Sequence, residues 1–437
     1  FLTIKTQNKI MKKSTITCDM EGRILTMNDG AEQVFGYPKE ELIGKKRVSI
    51  FSPGEIVLQN VEGWLDEAVK KGEYIGKTYF IKKNKEKFNA KIRITPTFAN
   101  GKDQPQTGYC GVTEVIDEEV NVPINFSTKL IKGLAITRMP FTSASILPIL
   151  AVGAYFAGVG DDLFNITNFV LCIFGVLIAH LSVNVLNDYF DVKDGTDEEN
   201  NDYFQQVSGG SRAIELGLIT LSGTKKLGTI LTLIALLIGG VVLMLTNSAN
   251  TSSVLYIALA GLFLGYFYTA PPLRLVARRG LGELTIFLAF GPLITLGTAF
   301  AIFNGDLMTS EHLMNCLYIG IPMGLLTTNI LLINEFPDMV SDIKTKKNHL
   351  VVTFGKKASR WIYLLILGLA IYTTHLLANS IGNDLLLIPL ALLLIYGGYI
   401  FSVLYKKYET RELVGANWGT ITLQALFCIG VCITLLF

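Results

Sequence analysis

Two stretches of the chain place carboxylates at helical spacing directly behind long apolar runs. In "VNVLNDYFDVKDGTD" (183–197), Asp188 and Asp191 are three apart; Asp194 and Asp197 follow, and Lys193 is the single basic residue. In "LLINEFPDMVSDIKTKKNHLVVTFGKK" (331–357), Asp338 and Asp342 are four apart, preceded by Glu335 and followed by Lys344, Lys346 and Lys347. Residues three or four apart share one helix face, so each pair sets two carboxylates side by side. Such like charges repel by roughly 0.2–0.5 kcal/mol. A divalent cation reverses that sign. Mg2+ takes hard oxygen ligands and is held by one or two carboxylates plus substrate phosphates. Two clusters facing one cavity would therefore hold Mg2+ against a diphosphate. Asn187 and Asn334 would add amide oxygens, and Lys193, Arg212 and Lys347 would offset phosphate charge.

Diphosphate leaving an allylic carbon leaves a stabilised carbocation, which needs a dry, aromatic-lined pocket. An isoprenoid tail on the same substrate explains a site placed among membrane helices. The plain alternative is that acids at helix ends are solvated loop residues. Two clusters, each with Asn and Lys and each behind an apolar run, favour a site. Asp194, Glu198 and Glu199 read as solvated.

The elements that must position these residues are membrane helices. Half of the 437 residues are hydrophobic. The mean hydropathy of +0.43 is too high for a soluble chain of this size. Nine apolar stretches are long enough to span: 140–160, 164–187, 227–246, 253–270, 284–303, 313–333, 361–379, 384–404 and 417–437. Four alternate connections (188–226, 271–283, 334–360 and 405–414) carry sixteen Lys and Arg, and the intervening ones carry none. The positive-inside rule then predicts an integral protein of the inner membrane. Its N-terminal region and acidic loops would be cytoplasmic and its C-terminus outside. A net charge of +2 gives no argument for nucleic acid. The six cysteines form no C-x-x-C pair and read as buried thiols.

Residues 15–118 read as α+β. "TITCDMEGRILTMN" alternates as two strands joined at Glu21-Gly22, "YIGKTYFIKKNKEKFNAKIRITPTF" as two more around Asn84-Lys85, and "TGYCGVTEVIDEE" as a last strand. "GAEQVFGYPKEELIGK" reads as short helices. The order of these elements, with "DMEGRILTMN", "AEQVFGYPKEELIGK" and "GYCGVTEVIDEE", resembles a PAS domain. That implies a regulatory module acting through dimerisation or a small ligand. All four histidines lie outside it, which disfavours His-ligated haem.

From residue 135 onward the chain resembles the UbiA superfamily of intramembrane aromatic prenyltransferases. The first motif, N-D-x-x-D-x-x-x-G-x-D, reads Asn187, Asp188, Asp191, Gly195 and Asp197, as in the 1,4-dihydroxy-2-naphthoate branch. The second, D-x-x-x-D, reads Asp338 and Asp342. "SGGSRAIELGLIT" (208–220) and "YTAPPLRL" with "RRGLGE" (268–283) are similar to two further family stretches. The resemblance implies nine helices around a central cavity, with Mg2+ as cofactor. It implies polyprenyl transfer from prenyl diphosphate to an aromatic acceptor, with decarboxylation of dihydroxynaphthoate on the way to menaquinone. Asn187, Asp188, Asp191, Asp197, Asp338 and Asp342 would hold Mg2+ and diphosphate, and Arg212 and Lys347 would contact phosphate. Tyr268 and Arg274 would edge the cavity. The chain departs from the branch pattern G-K-x-T-L-V-V-R-L-G at 346–355: Lys346 stands for Gly, His349 for Thr and Thr353 for Arg. His349 is a candidate proton acceptor. The expected organisation is a PAS-like domain at 1–120, a connector at 121–138 and a nine-helix domain at 139–437. Other readings are a different acceptor (4-hydroxybenzoate, glyceryl phosphate), terpene cyclisation, or a sensor or transporter without enzyme activity. Transport would call for ionisable residues deep in the spans, and these are nearly free of them.

Overall fold

Apolar–polar alternation before residue 120 resolves into five strands: β1 Lys13–Asp19, β2 Ile24–Met27, β3 Tyr74–Ile81, β4 Lys87–Thr97 and β5 Gly108–Val115. They form one antiparallel sheet in the order β2-β1-β5-β4-β3. The expected turns hold. Gly22 and Lys85 both take positive φ, at 81° and 69°, as tight reversals require. One sheet face and the helix Asp29–Phe35 enclose Ile16, Ile24, Phe35, Phe51, Phe80, Phe88 and Ile92. The Phe35 and Phe51 rings stack at 4.0 Å. The computed structural model describes residues 13–204, 206–306 and 308–437.

The chain divides into two units: residues up to Ile136 with Arg212–Thr220, and Thr137–Ser211 with Leu221–Phe437. The stretch expected as a connector holds a helix, Phe126–Thr137. Gln59 fastens its start to the first unit. Its side chain donates to Pro123 O and accepts from Asn125 N and Thr128 Oγ1 at 2.8–3.0 Å, and Lys132 pairs with Glu55 at 2.6 Å. Segment 212–220, expected within the membrane domain, packs in this first unit instead. Lys46 lies 3.6 Å from Glu215. A side chain at Gly54 would collide with Leu216 O and Leu218, so only glycine fits there. Ala213 and Leu218 are buried.

The second unit is helical. Among the described residues, eight helices are long and apolar enough to cross a membrane: Met139–Val159, Ile166–Lys193, Leu221–Leu245, Leu281–Ile302, Ser310–Lys344, Leu350–Ile381, Asp384–Lys407 and Arg411–Thr434. The ninth expected span is the shorter helix Thr251–Phe267. Met244, Ile395, Leu237 and Tyr256 stand exposed, as lipid-facing residues do. The interior holds Phe156, Ile319, Met323, Phe336, Tyr363 and Phe427. The 281–302 and 310–344 helices approach so closely that a Cβ on Gly291 would meet Gly320 O at 2.7 Å and Gly324 Cα at 3.0 Å. Gly320 and Gly324 are a small-xxx-small pair of the kind that lets membrane helices touch.

Helix length places the acids. At 1.5 Å per residue the 28-residue helix 166–193 runs about 42 Å and the 35-residue helix 310–344 about 52 Å. Both outlast a hydrocarbon core of about 30 Å. Their C-terminal turns carry Asp188 and Asp191, and Asp338 and Asp342, out of the apolar layer.

Candidate active site

Each aspartate of the two motifs has a distinct environment. Asp188 is buried; its Oδ1 accepts from Ser211 N at 3.4 Å, and its Oδ2 is buried without a hydrogen-bond partner. Gly209 and Gly210 both take φ 75°. A Cβ on Gly210 would meet Asp188 Oδ1 at 3.0 Å and Asp197 Oδ1 at 3.8 Å. The glycine thus keeps a small space open beside two carboxylates. Asp191 pairs with Lys347 Nζ at 3.0 Å. Asp338 Oδ1 accepts from Asn200 Nδ2 at 3.0 Å and Ser208 Oγ at 2.8 Å, and its Oδ2 from Gly209 N at 3.2 Å. Asp342 Oδ2 lies 2.9 Å from His349 Nε2. The loop 208–211 therefore touches both motifs, with Gly209 on Asp338 and Ser211 on Asp188.

The accompanying residues separate into those near this arrangement and those turned elsewhere. Lys347 is buried. Burial alone would pull its amine down, but Asp191 and Asp342 outweigh it and hold it well above the usual lysine range. Asn187 Oδ1 accepts from Thr269 Oγ1 at 2.6 Å, and Asn334 Oδ1 from Asn417 Nδ2 at 2.7 Å. These two amides fasten the motif helices to their neighbours. Lys193 sits 5.9 Å from the Tyr189 ring. Arg274, at φ 43°, pairs with Asp194 Oδ2 at 3.0 Å. Asp194 is thus an ion-pair partner rather than the solvated acid expected, because the 268–278 loop folds back onto it. Tyr268 closes that loop through its carbonyl, which accepts from Val276 N at 2.9 Å. Arg212 is buried, pairs with Glu215 at 3.2 Å and belongs to the first unit.

Two acids outside the expected set lie close by. Glu283 Oε1 accepts from Leu350 N at 2.7 Å, and Glu335 Oε2 lies 3.2 Å from His349 Nδ1. His349 caps the helix that begins at Leu350. Burial alone would pull its imidazole down; Glu335 and Asp342 outweigh it and push it up to about 10. Glu335 sits in the quoted second stretch. Glu283, in "RRGLGE", gave no local spacing signal.

Chemically, the aspartate end offers hard carboxylate oxygens, one of them buried and unpartnered. It also offers two consecutive glycines at positive φ and a buried amine. That donor set fits Mg2+. Asp188, Asp191, Asp197, Asp338 and Asp342 would hold it, Asp191 once released from Lys347.

These features define an integral, polytopic α-helical membrane protein with an acid-lined end, joined to an antiparallel α+β module. Residues 145–430 match the UbiA prenyltransferase family and residues 12–114 the PAS domain. The chain belongs to the UbiA prenyltransferase family and carries an N-terminal PAS domain. It is similar to the Arabidopsis thaliana chloroplastic 2-carboxy-1,4-naphthoquinone phytyltransferase: 29% identity over 302 residues, covering 65% of this chain and 71% of that one. It is also similar to the Haemophilus influenzae 1,4-dihydroxy-2-naphthoate octaprenyltransferase: 28% identity over 302 residues, covering 68% and 92%. A solved structure of a UbiA homolog from Archaeoglobus fulgidus, bound to DMAPP and Mg2+, shares the fold. Its TM-score is 0.50 at 15% identity, over 70% of this chain and 99% of that one. The expected family, fold class and enzyme class agree with these findings; among the described residues there are eight long apolar helices and one shorter one.

Proposed function

We propose that the membrane unit transfers a polyprenyl group from a prenyl diphosphate to 1,4-dihydroxy-2-naphthoate in menaquinone synthesis. The allylic C–O bond breaks, a C–C bond forms at the ring, and the acceptor's carboxylate leaves as CO2. The relatives named above support this acceptor, since both names specify a naphthalenoid ring bearing a carboxylate. The observation that carries the site assignment is Asp188, buried with Oδ2 unpartnered and with Oδ1 3.0 Å from where a Cβ on Gly210 would stand.

When bound, Mg2+ would neutralise charge on the departing diphosphate. The chain's own residues do the rest. Asp338, fixed by Asn200, Ser208 and Gly209, ties these three residues to the second motif. Lys347, paired with Asp191 in this structure, is the amine that would meet a phosphate oxygen, and Asp191 is among the carboxylates that would hold the ion. The basic connections support a cytoplasmic site in the inner membrane. The PAS domain regulates the enzyme, by dimerisation or a small ligand.

The test uses full-length protein in detergent with geranylgeranyl diphosphate, Mg2+ and 1,4-dihydroxy-2-naphthoate, following diphosphate release and product mass. A prenylated, decarboxylated product is expected. Asp188→Asn and Asp338→Asn should each cut its formation by about 100-fold or more, and EDTA should abolish it. Diphosphate release that appears only with 4-hydroxybenzoate or a glyceryl phosphate would overturn the acceptor and keep the family chemistry. Full activity in both variants would overturn the site.

A further inference from the structure

Glu283 in the first turn of one helix, Glu335 inside a second and His349 at the cap of a third meet inside the membrane unit. One donor atom of each lies within 4.8 Å of the others. All three residues are more than nine-tenths buried, at 3%, 5% and 1% exposure. Much of the surrounding geometry is fixed by the chain. Glu283 is held through Oε1 by the Leu350 amide, and the ring of His349 is held through Nε2 by Asp342. Glu283 Oε2 and both carboxylate oxygens of Glu335 are buried without any hydrogen-bond partner. His349 Nδ1 lies 3.2 Å from Glu335 Oε2 and accepts a long hydrogen bond, 3.3 Å, from Val352 N, the cap that a metal bond would replace.

Glu283, Glu335 and Asp342 set three carboxyl groups around one imidazole, and Lys347, in the adjoining turn, pairs with Asp191. Buried charges are paired or coordinate metals.

We propose that Glu283, Glu335 and His349 bind a divalent transition-metal ion at a site with its own ligands, next to the motif aspartates. Metal–oxygen and metal–imidazole bonds of about 2.0–2.2 Å set neighbouring ligand atoms about 3 Å apart, which matches the 3.2 Å between Nδ1 and Oε2. An imidazole beside two carboxylates suits Zn2+, Mn2+ or Fe2+ better than Mg2+, which prefers oxygen and keeps its waters. The bond from His349 Nε2–H to Asp342 is the orienting partner that metal-bound histidines use. The ion would pin helices 281–302, 310–344 and 350–381 together. The turn between the last two carries Lys347, so the metal positions that amine. Asp342 is shared between the two sites.

This inference stands apart from the prenyl-transfer reading, and its test does not read turnover. Full-length protein in detergent would be titrated with Mn2+ in excess Mg2+ and followed by pulsed EPR, which detects nitrogen coupling from a bound imidazole. About one nitrogen-coupled Mn2+ per chain is expected. It should persist in Asp188→Asn and Asp338→Asn and vanish in His349→Ala, and Glu335→Gln should weaken it by about tenfold or more. If His349→Ala fails to fold, the wild-type spectrum together with Glu283→Gln decides. Absence of nitrogen-coupled Mn2+ in the wild type would overturn the proposal, as would coupling that survives His349→Ala. An infrared band of a protonated carboxylic acid, removed by Glu335→Gln with no metal bound, would assign the position to a proton.

Discussion

At the scale of single residues, the aspartate pairs are legible because spacings of three and four force carboxylates onto one helix face. Their partners are not. Asp338 is held by Asn200, Ser208 and Gly209, all about 130 positions away, and no local pattern encodes such a meeting. The same holds for Glu283, Glu335 and His349, which come together from 66 residues of chain. Two predictions belong here. Gly210→Ala would force a side chain into a left-handed backbone, at about 1 kcal/mol, and place a methyl against Asp188 Oδ1. Activity should fall by about tenfold or more while the melting temperature moves by only a few degrees; unchanged activity would show that the space beside Asp188 is not used. The second concerns His349 in protein stripped of metal. Its imidazole is raised above the unfolded value to about 10. Its ion pairs therefore stabilise the fold fully below the unfolded pKa and lose that contribution as pH rises through about 10. Thermal melts should show a steeper loss between pH 8 and 10.5 in wild type than in His349→Asn. Parallel curves would mean that the ring is neutral in the folded state, with a single N–H.

At the scale of elements, alternation gave the strands and the Asn84-Lys85 turn in their observed places, because a half-buried sheet repeats every two residues. The helix Phe126–Thr137 falls in the stretch read from sequence only as a connector; its anchoring is a matter of tertiary contact. Gln59 makes three hydrogen bonds that hold the connector to the first unit. Gln59→Ala should leave Asn125 N without that partner and raise amide exchange at 125–128. The cost would be about 1–3 kcal/mol, with strand amides of β1 and β5 unaffected. Exchange unchanged at 125–128 would show that the salt bridge of Lys132 to Glu55 suffices. Such an exchange is worth testing because a partly exposed pair of that kind is worth only about 0.2–1 kcal/mol.

At the scale of the whole molecule, the least legible element was the shortest. Helix Thr251–Phe267 has 17 residues, about 25 Å of rise, a little short of a hydrocarbon core. We propose from the charge pattern that it nevertheless crosses. Connections 188–226 and 271–283 are both basic, and only two crossings between them return the chain to the same side. Reporter fusions at the N-terminus and after Phe437 should therefore read opposite sides of the membrane. Readings from the same side would show that 251–267 lies within one leaflet.

Segment 212–220 falls inside the stretch that matches the prenyltransferase family, yet Ala213 and Leu218 are buried in the unit built around the PAS sheet. Ser211, the residue before it, donates to Asp188. A chain cut back to its helical unit would therefore leave Ala213 and Leu218, just beyond the residue that meets Asp188, without the core that buries them.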